Sequence, residues 1–205
     1  MNRPADPRWK VRGRRSELRR QPWLEVFRET IELPDGRLVD DFYSIEAQDF
    51  VVVVALTPSA EVVVENLYRH GSGRVTWALP AGYVHPGEGP VESAIRELRE
   101  ETGCEASDWV ALGRFIVDGN RGCGWCNCFL AQGAKRVGEP DSDDLAEVDV
   151  SIVPWSRLLE LLAAGEIDEL ASAAAIGLAV IRLGTIGAAG EPDSRRLTDH
   201  IRGGG

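Results

Sequence analysis

The sequence predicts a mixed α/β fold, with a mixed sheet between helices and a small antiparallel β extension before it. Three observations support this prediction. Phe50–Leu56 is apolar at every position, as in a central buried strand. Pro90–Thr102 changes period and repeats apolar residues at helical spacing. The segments that follow alternate between runs of strand length and helical patterns, which indicates a sheet packed between helices.

The N-terminal part predicts two strands after an irregular start. Residues 1–20 are rich in Arg and show no apolar period, so we expect a partly ordered basic lead-in. Trp23–Leu33 alternates apolar and polar residues and runs into the turn sequence of Pro34–Arg37. Residues 21–46 therefore predict a strand, a turn and a second strand.

The remaining elements continue the sheet and add three helices. Glu61–Tyr68 predicts a strand, and Gly103 stands where the helix that begins at Pro90 would end. The later strands are Trp109–Val117, Trp125–Ala131 and Val148–Val153, and the later helices are Ser156–Ala163 and Glu169–Leu183. We expect the main domain to span 47–184 and a flexible C-terminal tail to span 185–205.

The charge distribution restricts the classes of partner. The chain of 205 residues has a formal net charge of -10, which argues against broad binding to nucleic acids or anionic membranes. Residues 1–28 are the exception, with nine basic and three acidic residues. No apolar stretch reaches the roughly 20 residues needed to span a bilayer. We expect a cytoplasmic protein whose four cysteines are thiols.

Five glutamates cluster between residues 88 and 101, at positions 88, 92, 97, 100 and 101. On a helix, Glu97, Glu100 and Glu101 stand at i, i+3 and i+4 and share one face. Like charges repel there unless a cation offsets them, and carboxylate oxygens suit Mg²⁺ or Mn²⁺. A merely solvated charged face is the alternative.

The glutamates belong to a longer pattern that begins at Gly82 and ends at Cys104. Five residues separate Gly82 from Glu88, and seven residues separate Glu88 from Arg96-Glu97-Leu98. Glu100-Glu101 and Gly103-Cys104 follow. This arrangement resembles the Nudix box. The resemblance implies a Nudix α/β/α sandwich, a bound Mg²⁺ and hydrolysis of a diphosphate linked to another moiety. Mn²⁺ is the alternative metal.

The Nudix resemblance also implies roles for the box residues. Glu97 and Glu101 would bind the metal, and Glu100 would be a further ligand or the general base. Arg96 would orient a glutamate, and Glu88 would hold the loop in place.

Residues outside the box are similar to the branch of ADP-ribose pyrophosphatases and nucleoside-diphosphate-sugar pyrophosphatases. The similar segments are Leu67–Arg69, Leu79–Gly82 and the N-terminal strands. The resemblance implies that the backbone carbonyl of Ala81 binds metal and that Arg69 contacts the phosphates of the substrate. It also implies that Trp23 stacks on the adenine, although a core or dimer-interface role fits Trp23 equally.

The same resemblance implies a homodimer formed through residues 21–46, and a nucleotide as the small-molecule substrate. ADP-ribose or a related nucleoside diphosphate sugar is the expected substrate. GDP-mannose and dinucleoside polyphosphates are alternatives, and a non-catalytic module that senses ADP-ribose or NAD is the rival class.

Three positions depart from the branch pattern. Ala78 replaces a Glu before Leu79, and Asp118–Arg121 replaces a Pro. The late acidic loop carries Ala146 where the branch has a catalytic or metal-binding Glu. The segment 141–147 offers Asp143, Asp144 and Glu147 as candidate bases. We expect Glu147, one position after Ala146, to be the general base, with Glu100 as the alternative.

The cysteines form a weaker pattern. Cys123, Cys126 and Cys128 stand in the order C-x2-C-x-C, which suggests a zinc or redox site, with Cys104 as a possible fourth ligand. Because Cys126 and Cys128 share one face of a predicted strand, we favour small core residues instead.

Overall fold

A computed structural model describes residues 7–141 and 148–184. The early strands are β1 (Lys10–Arg20), β2 (Leu24–Glu32), β3 (Leu38–Ala47), β4 (Phe50–Leu56), β5 (Glu61–Arg69), β6 (Arg74–Ala78) and β7 (Ala81–Tyr83). They are followed by α1 (Pro90–Thr102), β8 (Cys104–Glu105), β9 (Asp108–Asp118), β10 (Gly122–Gln132), β11 (Lys135–Arg136), β12 (Asp149–Pro154), α2 (Trp155–Ala163) and α3 (Leu170–Arg182).

The chain divides into two compact units. Among the described residues, the first comprises 7–49 and 115–125, and the second comprises 50–114, 126–141 and 148–184. The sequence-based boundary after residue 46 therefore differs from this division, which groups the end of β9 and the start of β10 with the N-terminal strands. Strand pairing explains the difference, because Gly122 of β10 pairs with Ile45 of β3.

The first unit contains an antiparallel sheet in the order β1, β2, β3. The sequence analysis expected a partly ordered basic lead-in over residues 1–20 and did not predict the strand β1. Its residues are exposed along the whole strand, so apolar alternation could not reveal it. Cross-strand ion pairs accompany it instead: Arg12 contacts Glu32 at 2.6 Å, and Arg14 contacts Glu29 at 3.0 Å.

The second unit is an α/β/α sandwich built on a mixed sheet. β10 pairs in parallel with β4, and β5 pairs antiparallel with both β4 and β12. Val52 and Val54 of β4 share one apolar cluster with residues of α2 and α3, such as Leu158 and Ile176. The opposite face of β4 shares the other cluster with Ala94 and Leu98 of α1. The predicted fold class is confirmed.

The sequence analysis did not predict the short strands β6 and β7. β6 pairs antiparallel with β5, and β7 pairs antiparallel with β4, placing Ala81 opposite Val52 and Gly82 opposite Val51. Strands of three to five residues offer too few positions for a period to be recognised. β7 matters for the site because it carries the start of the box.

Helix α1 has the bounds that its sequence predicts. Pro90 occupies its first turn, and Gly103 closes it in the left-handed conformation with φ of 67°. A Cβ at Gly103 would overlap the carbonyl of Gly138, so the close approach also requires glycine. The end of α1 is therefore fixed both by conformation and by packing.

The cysteines occupy separate places. The sulfur atoms of Cys126 and Cys128 lie 3.6 Å apart in the cluster beneath α2 and α3. Cys104 belongs to the cluster beneath α1, on the other face of the sheet, and Cys123 belongs to the first unit. The four thiols therefore do not form one ligand set. Within residues 7–141 and 148–184, no helix has the length and apolar character needed to cross a membrane.

Candidate active site

Helix α1 carries three glutamates toward one region of the second unit. Glu97 is 9% exposed and Glu101 is 4% exposed, and both lie on the same face of the helix as the apolar residues Ala94 and Leu98. That face packs against β4, so the two carboxylates are withdrawn from bulk water. Glu100 stands beside them with a side chain that is 46% exposed.

Arg96 holds this acidic group together. Its Nη1 donates to Oε1 of Glu97 at 2.8 Å and to Oε2 of Glu100 at 2.9 Å. Its Nε donates to Oε1 of Glu88 at 3.0 Å, and its Nη2 donates to the carbonyl of Tyr83 at 2.9 Å. One guanidinium therefore connects the loop before α1 to two glutamates on α1.

Glu88 fixes the loop that precedes the helix. Besides Arg96, its carboxylate accepts a hydrogen bond from the hydroxyl of Ser93 at 2.7 Å and one from the backbone N–H of His85 at 3.3 Å. The bonds from Arg96 dominate and lower the pKa of Glu88 from its ordinary 4.5 to about 2. Glu88 is therefore ionised at any physiological pH and serves as a structural anion.

Glu97 is held in a different electrostatic environment. Burial raises the pKa of Glu97, while Arg96 partly offsets this effect. The side chain also lies directly against the backbone of β7, because a Cβ at Gly82 would overlap its carboxylate. A side chain at Gly82 would therefore displace the carboxylate of Glu97 from its present position.

Glu101 binds the neighbouring backbone position. The N–H of Ala81 donates to Oε2 of Glu101 at 2.8 Å, which ties β7 to α1. The carbonyl of Ala81, the predicted backbone metal ligand, therefore belongs to a segment whose N–H is fixed by a predicted carboxylate ligand. Glu97, Glu101 and Ala81 all line one pocket of about 880 Å³.

The pocket brings together most of the predicted site residues. The residues that line it include Arg69, Ala81, Gly82, His85, Arg96, Glu97, Glu100 and Glu101. Trp23 belongs to the first unit and is 63% exposed, and its stacking role stays a prediction. Glu147, with Asp143, Asp144 and Ala146, lies outside the described residues.

Sequence reasoning missed several lining residues. Phe50 begins the buried strand β4, Asp141 precedes the acidic segment, and Glu169 and Leu170 stand at the start of α3. The side chain of Glu169 contacts Arg69 with 2.7 Å between Oε1 and Nε. A hundred residues separate the two in sequence, so no local pattern could reveal this ion pair.

The donor set suits a hard divalent cation. Three carboxylates and one backbone carbonyl are the oxygen donors that Mg²⁺ and Mn²⁺ accept. Within the described parts of the chain, no group of three or more His, Cys, Asp or Glu side chains is already arranged around a metal position. Arg96 uses only Oε1 of Glu97 and Oε2 of Glu100, so the second oxygen of each carboxylate is not needed for these bonds.

Comparison with known proteins agrees with this geometry. The NUDIX domain model matches residues 48–173, so the chain belongs to the Nudix family. An ADP-ribose pyrophosphatase of Mycobacterium tuberculosis is 32% identical over 146 residues, which cover 68% of each chain. The predicted family and enzyme class, a Nudix hydrolase, are confirmed.

Two further relatives extend the comparison. A CMP-5'-(N-acetyl-N-hydroxy-3-aminopropyl)phosphonate hydrolase of Streptomyces rubellomurinus is 30% identical and covers 90% of this chain and 87% of its own. The crystal structure of an ADP compounds hydrolase superposes with a TM-score of 0.76 at 19% identity, covering 87% of this chain and 96% of that chain. The latter match shows the shared fold.

The electrostatic role of Glu88 can be tested by pH. Because its folded pKa is depressed, its contribution to stability is complete above pH 4.5 and is lost as the pH falls toward 2. We expect Glu88→Gln to lower the free energy of unfolding at pH 7 by about 1 kcal/mol. Denaturant unfolding at a series of pH values should show this difference shrink below pH 4.5.

The matched control for this experiment is Glu92→Gln, which alters an exposed carboxylate on the first turn of the same helix. Its stability difference from the wild type should be small. An unfolding free-energy gap between wild type and Glu88→Gln that stays constant from pH 7 to pH 2 would contradict the assignment.

Proposed function

We propose that this protein catalyses Mg²⁺-dependent hydrolysis of the diphosphate bond of ADP-ribose or a related nucleoside diphosphate sugar. The products would be AMP, or another nucleoside monophosphate, and a sugar phosphate. The main support is the pocket itself, where Arg69 lies with the Arg96-bound glutamates of a Nudix box. The ADP-ribose pyrophosphatase relative supports the choice of substrate.

Six residues of the pocket have a proposed task. Ala81, through its carbonyl, and Glu97, Glu100 and Glu101 would hold the cation. A bound divalent cation neutralises charge on a diphosphate and lowers the pKa of an attacking water. Arg69 would bind the phosphate oxygens, since a guanidinium offers paired donors to them. Arg96 would keep Glu97 and Glu100 in position.

The second relative favours a second candidate substrate. The phosphonate hydrolase from Streptomyces acts on a CMP-linked compound and matches 90% of this chain. A cytidine nucleotide is therefore the alternative to an adenine nucleotide. The chemistry would be the same, because water would again attack a phosphorus atom in a linkage beside the nucleoside.

A substrate panel tests the proposal. We expect Mg²⁺-dependent release of AMP from ADP-ribose, with slower turnover of CDP-ribose, GDP-mannose and diadenosine tetraphosphate. Product separation by ion-exchange chromatography with and without Mg²⁺ would measure it. Hydrolysis of none of these compounds would contradict the enzymatic proposal and favour a module that only binds ADP-ribose or NAD.

The carboxylates of α1 allow a sharper test of metal binding. Glu97→Gln and Glu101→Gln should each lower kcat by about 100-fold or more, because each removes a charge that the cation requires. The control Glu92→Gln alters an exposed glutamate of the same helix and should retain wild-type activity. Wild-type kcat in Glu97→Gln or Glu101→Gln, measured at saturating Mg²⁺, would refute the ligand assignment.

We propose Glu147 as the general base, with Glu100 as the alternative. One oxygen of Glu100 already accepts a hydrogen bond from Arg96, which leaves this carboxylate less available to a proton. We expect Glu147→Gln to lower kcat by about 100-fold and to remove the acidic limb of the pH-rate profile. Asp144→Asn, in the same segment, is the control. An unchanged profile in Glu147→Gln together with an inactive Glu100→Gln would reverse the assignment.

We further propose that the protein is a cytoplasmic homodimer. Its first unit exposes large apolar side chains, including Trp9 at 52%, Trp23 at 63% and Leu38 at 61%, which a second subunit would cover. The unbonded sulfurs of Cys126 and Cys128 fit a reducing compartment. Light scattering at micromolar concentration should give twice the chain mass of 22.4 kDa. A purely monomeric mass would contradict the dimer.

A further inference from the structure

The ion pair between Arg69 and Glu169 lies at the wall of the pocket. Oε1 of Glu169 is 2.7 Å from Nε of Arg69, and the two side chains are 29% and 28% exposed. Both residues line the pocket. A partly buried pair of this kind is screened less by water and salt than a surface pair.

The carboxylate of Glu169 does not cap the helix α3, although Glu169 is the N-cap residue. It is the N-cap residue of α3, where a side-chain oxygen often accepts a backbone N–H of the first helical turn. No such bond is made by its side chain. Its Oε1 lies 2.7 Å from Nε of Arg69 instead.

The second carboxylate oxygen connects Glu169 to the segment that carries Ala81. The hydroxyl of Ser172, a residue with no exposed surface, donates to Oε2 of Glu169 at 3.4 Å. The same hydroxyl accepts the N–H of Leu79 at 3.3 Å. Ser172 therefore bridges the partner of Arg69 and the backbone just before Ala81.

Side chains from helices on both faces of the sheet therefore bind the backbone of Leu79–Ala81. Ser172 of α3 binds the N–H of Leu79, and Glu101 of α1 binds the N–H of Ala81. Between them, the carbonyl of Pro80 accepts the N–H of Val53 on β4 at 2.9 Å. The proposed phosphate-binding arginine and the proposed metal-binding carbonyl thus share one supporting network.

We propose that Glu169 is a positioning residue that fixes the guanidinium of Arg69 for the phosphate groups of the substrate. This inference rests on the proposed function, in which Arg69 binds the diphosphate. The contact is made at Nε, so the two Nη nitrogens are not needed for it and can serve the ligand. Fixing a long side chain in advance removes part of the entropy cost of binding.

The test separates binding from chemistry. The probe is the α,β-methylene analogue of ADP-ribose, whose diphosphate bond resists hydrolysis, titrated calorimetrically with Mg²⁺ present. Glu169→Gln retains the size of the side chain but removes its charge. We expect it to weaken binding about tenfold and to raise KM for ADP-ribose similarly, with kcat within about twofold of wild type.

Two further variants refine the result. Ser172→Ala leaves the ion pair and removes its support, so we expect a smaller loss of about threefold. Asp168→Asn is the matched control, because Asp168 also pairs with an arginine, Arg74 at 3.7 Å, but does not line the pocket. Its binding and KM should equal those of the wild type.

A double-variant cycle distinguishes positioning from a general structural role. With Arg69→Ala already present, Glu169→Gln should cause no further loss of binding, since its target is gone. Additive losses, or wild-type affinity in Glu169→Gln alone, would overturn the inference. A wild-type protein that binds the analogue but leaves ADP-ribose intact would contradict only the proposed function, and absence of binding would contradict both.

Discussion

The guanidinium of Arg96 is the contact on which the site depends. Helix α1 places Glu97 and Glu101 against the sheet, and burial raises the pKa of Glu97. Arg96 compensates by binding Glu97, Glu100 and Glu88 at once. The pKa of Arg96 is raised by these partners, chiefly by Glu88, so its charge is permanent. A single fixed cation thereby allows an acidic cluster to persist at the edge of a hydrophobic core.

The position of that cluster follows from strand β4. Its residues are apolar on both faces, so one face takes α1 and the other takes α2 and α3. β7 pairs with the beginning of β4, which brings Ala81 and Gly82 beneath the glutamates of α1. Phe50 and Val52 also line the pocket. The strand that contributes to both apolar clusters therefore also lines the candidate active site.

The parts that the sequence revealed are those with strong local signals. The bounds of α1 and β4 agree with their predictions because Pro90, Gly103 and an unbroken apolar run mark them. β1 was missed because its pairing is accompanied by ion pairs across strands rather than by apolar alternation. Glu169 was missed because its partner, Arg69, is brought near only by the folded chain. The spacing of apolar residues along the sequence indicates which positions are buried. Ion pairs between residues distant in sequence produce no such spacing.

The chain that follows β11 is hydrogen-bonded to the C-terminal end of α1. The N–H groups of Val137 and Gly138 donate to the carbonyl of Gly103, and the N–H of Asp141 donates to the carbonyl of Glu100. These bonds tie the chain to α1 as far as Asp141, the residue before the acidic segment 142–147. Insertions or substitutions after Asp141 leave the hydrogen bonds of residues 137–141 to α1 in place. Changes in sequence after Asp141 can therefore leave the carboxylates of α1 and their contacts with Arg96 in place.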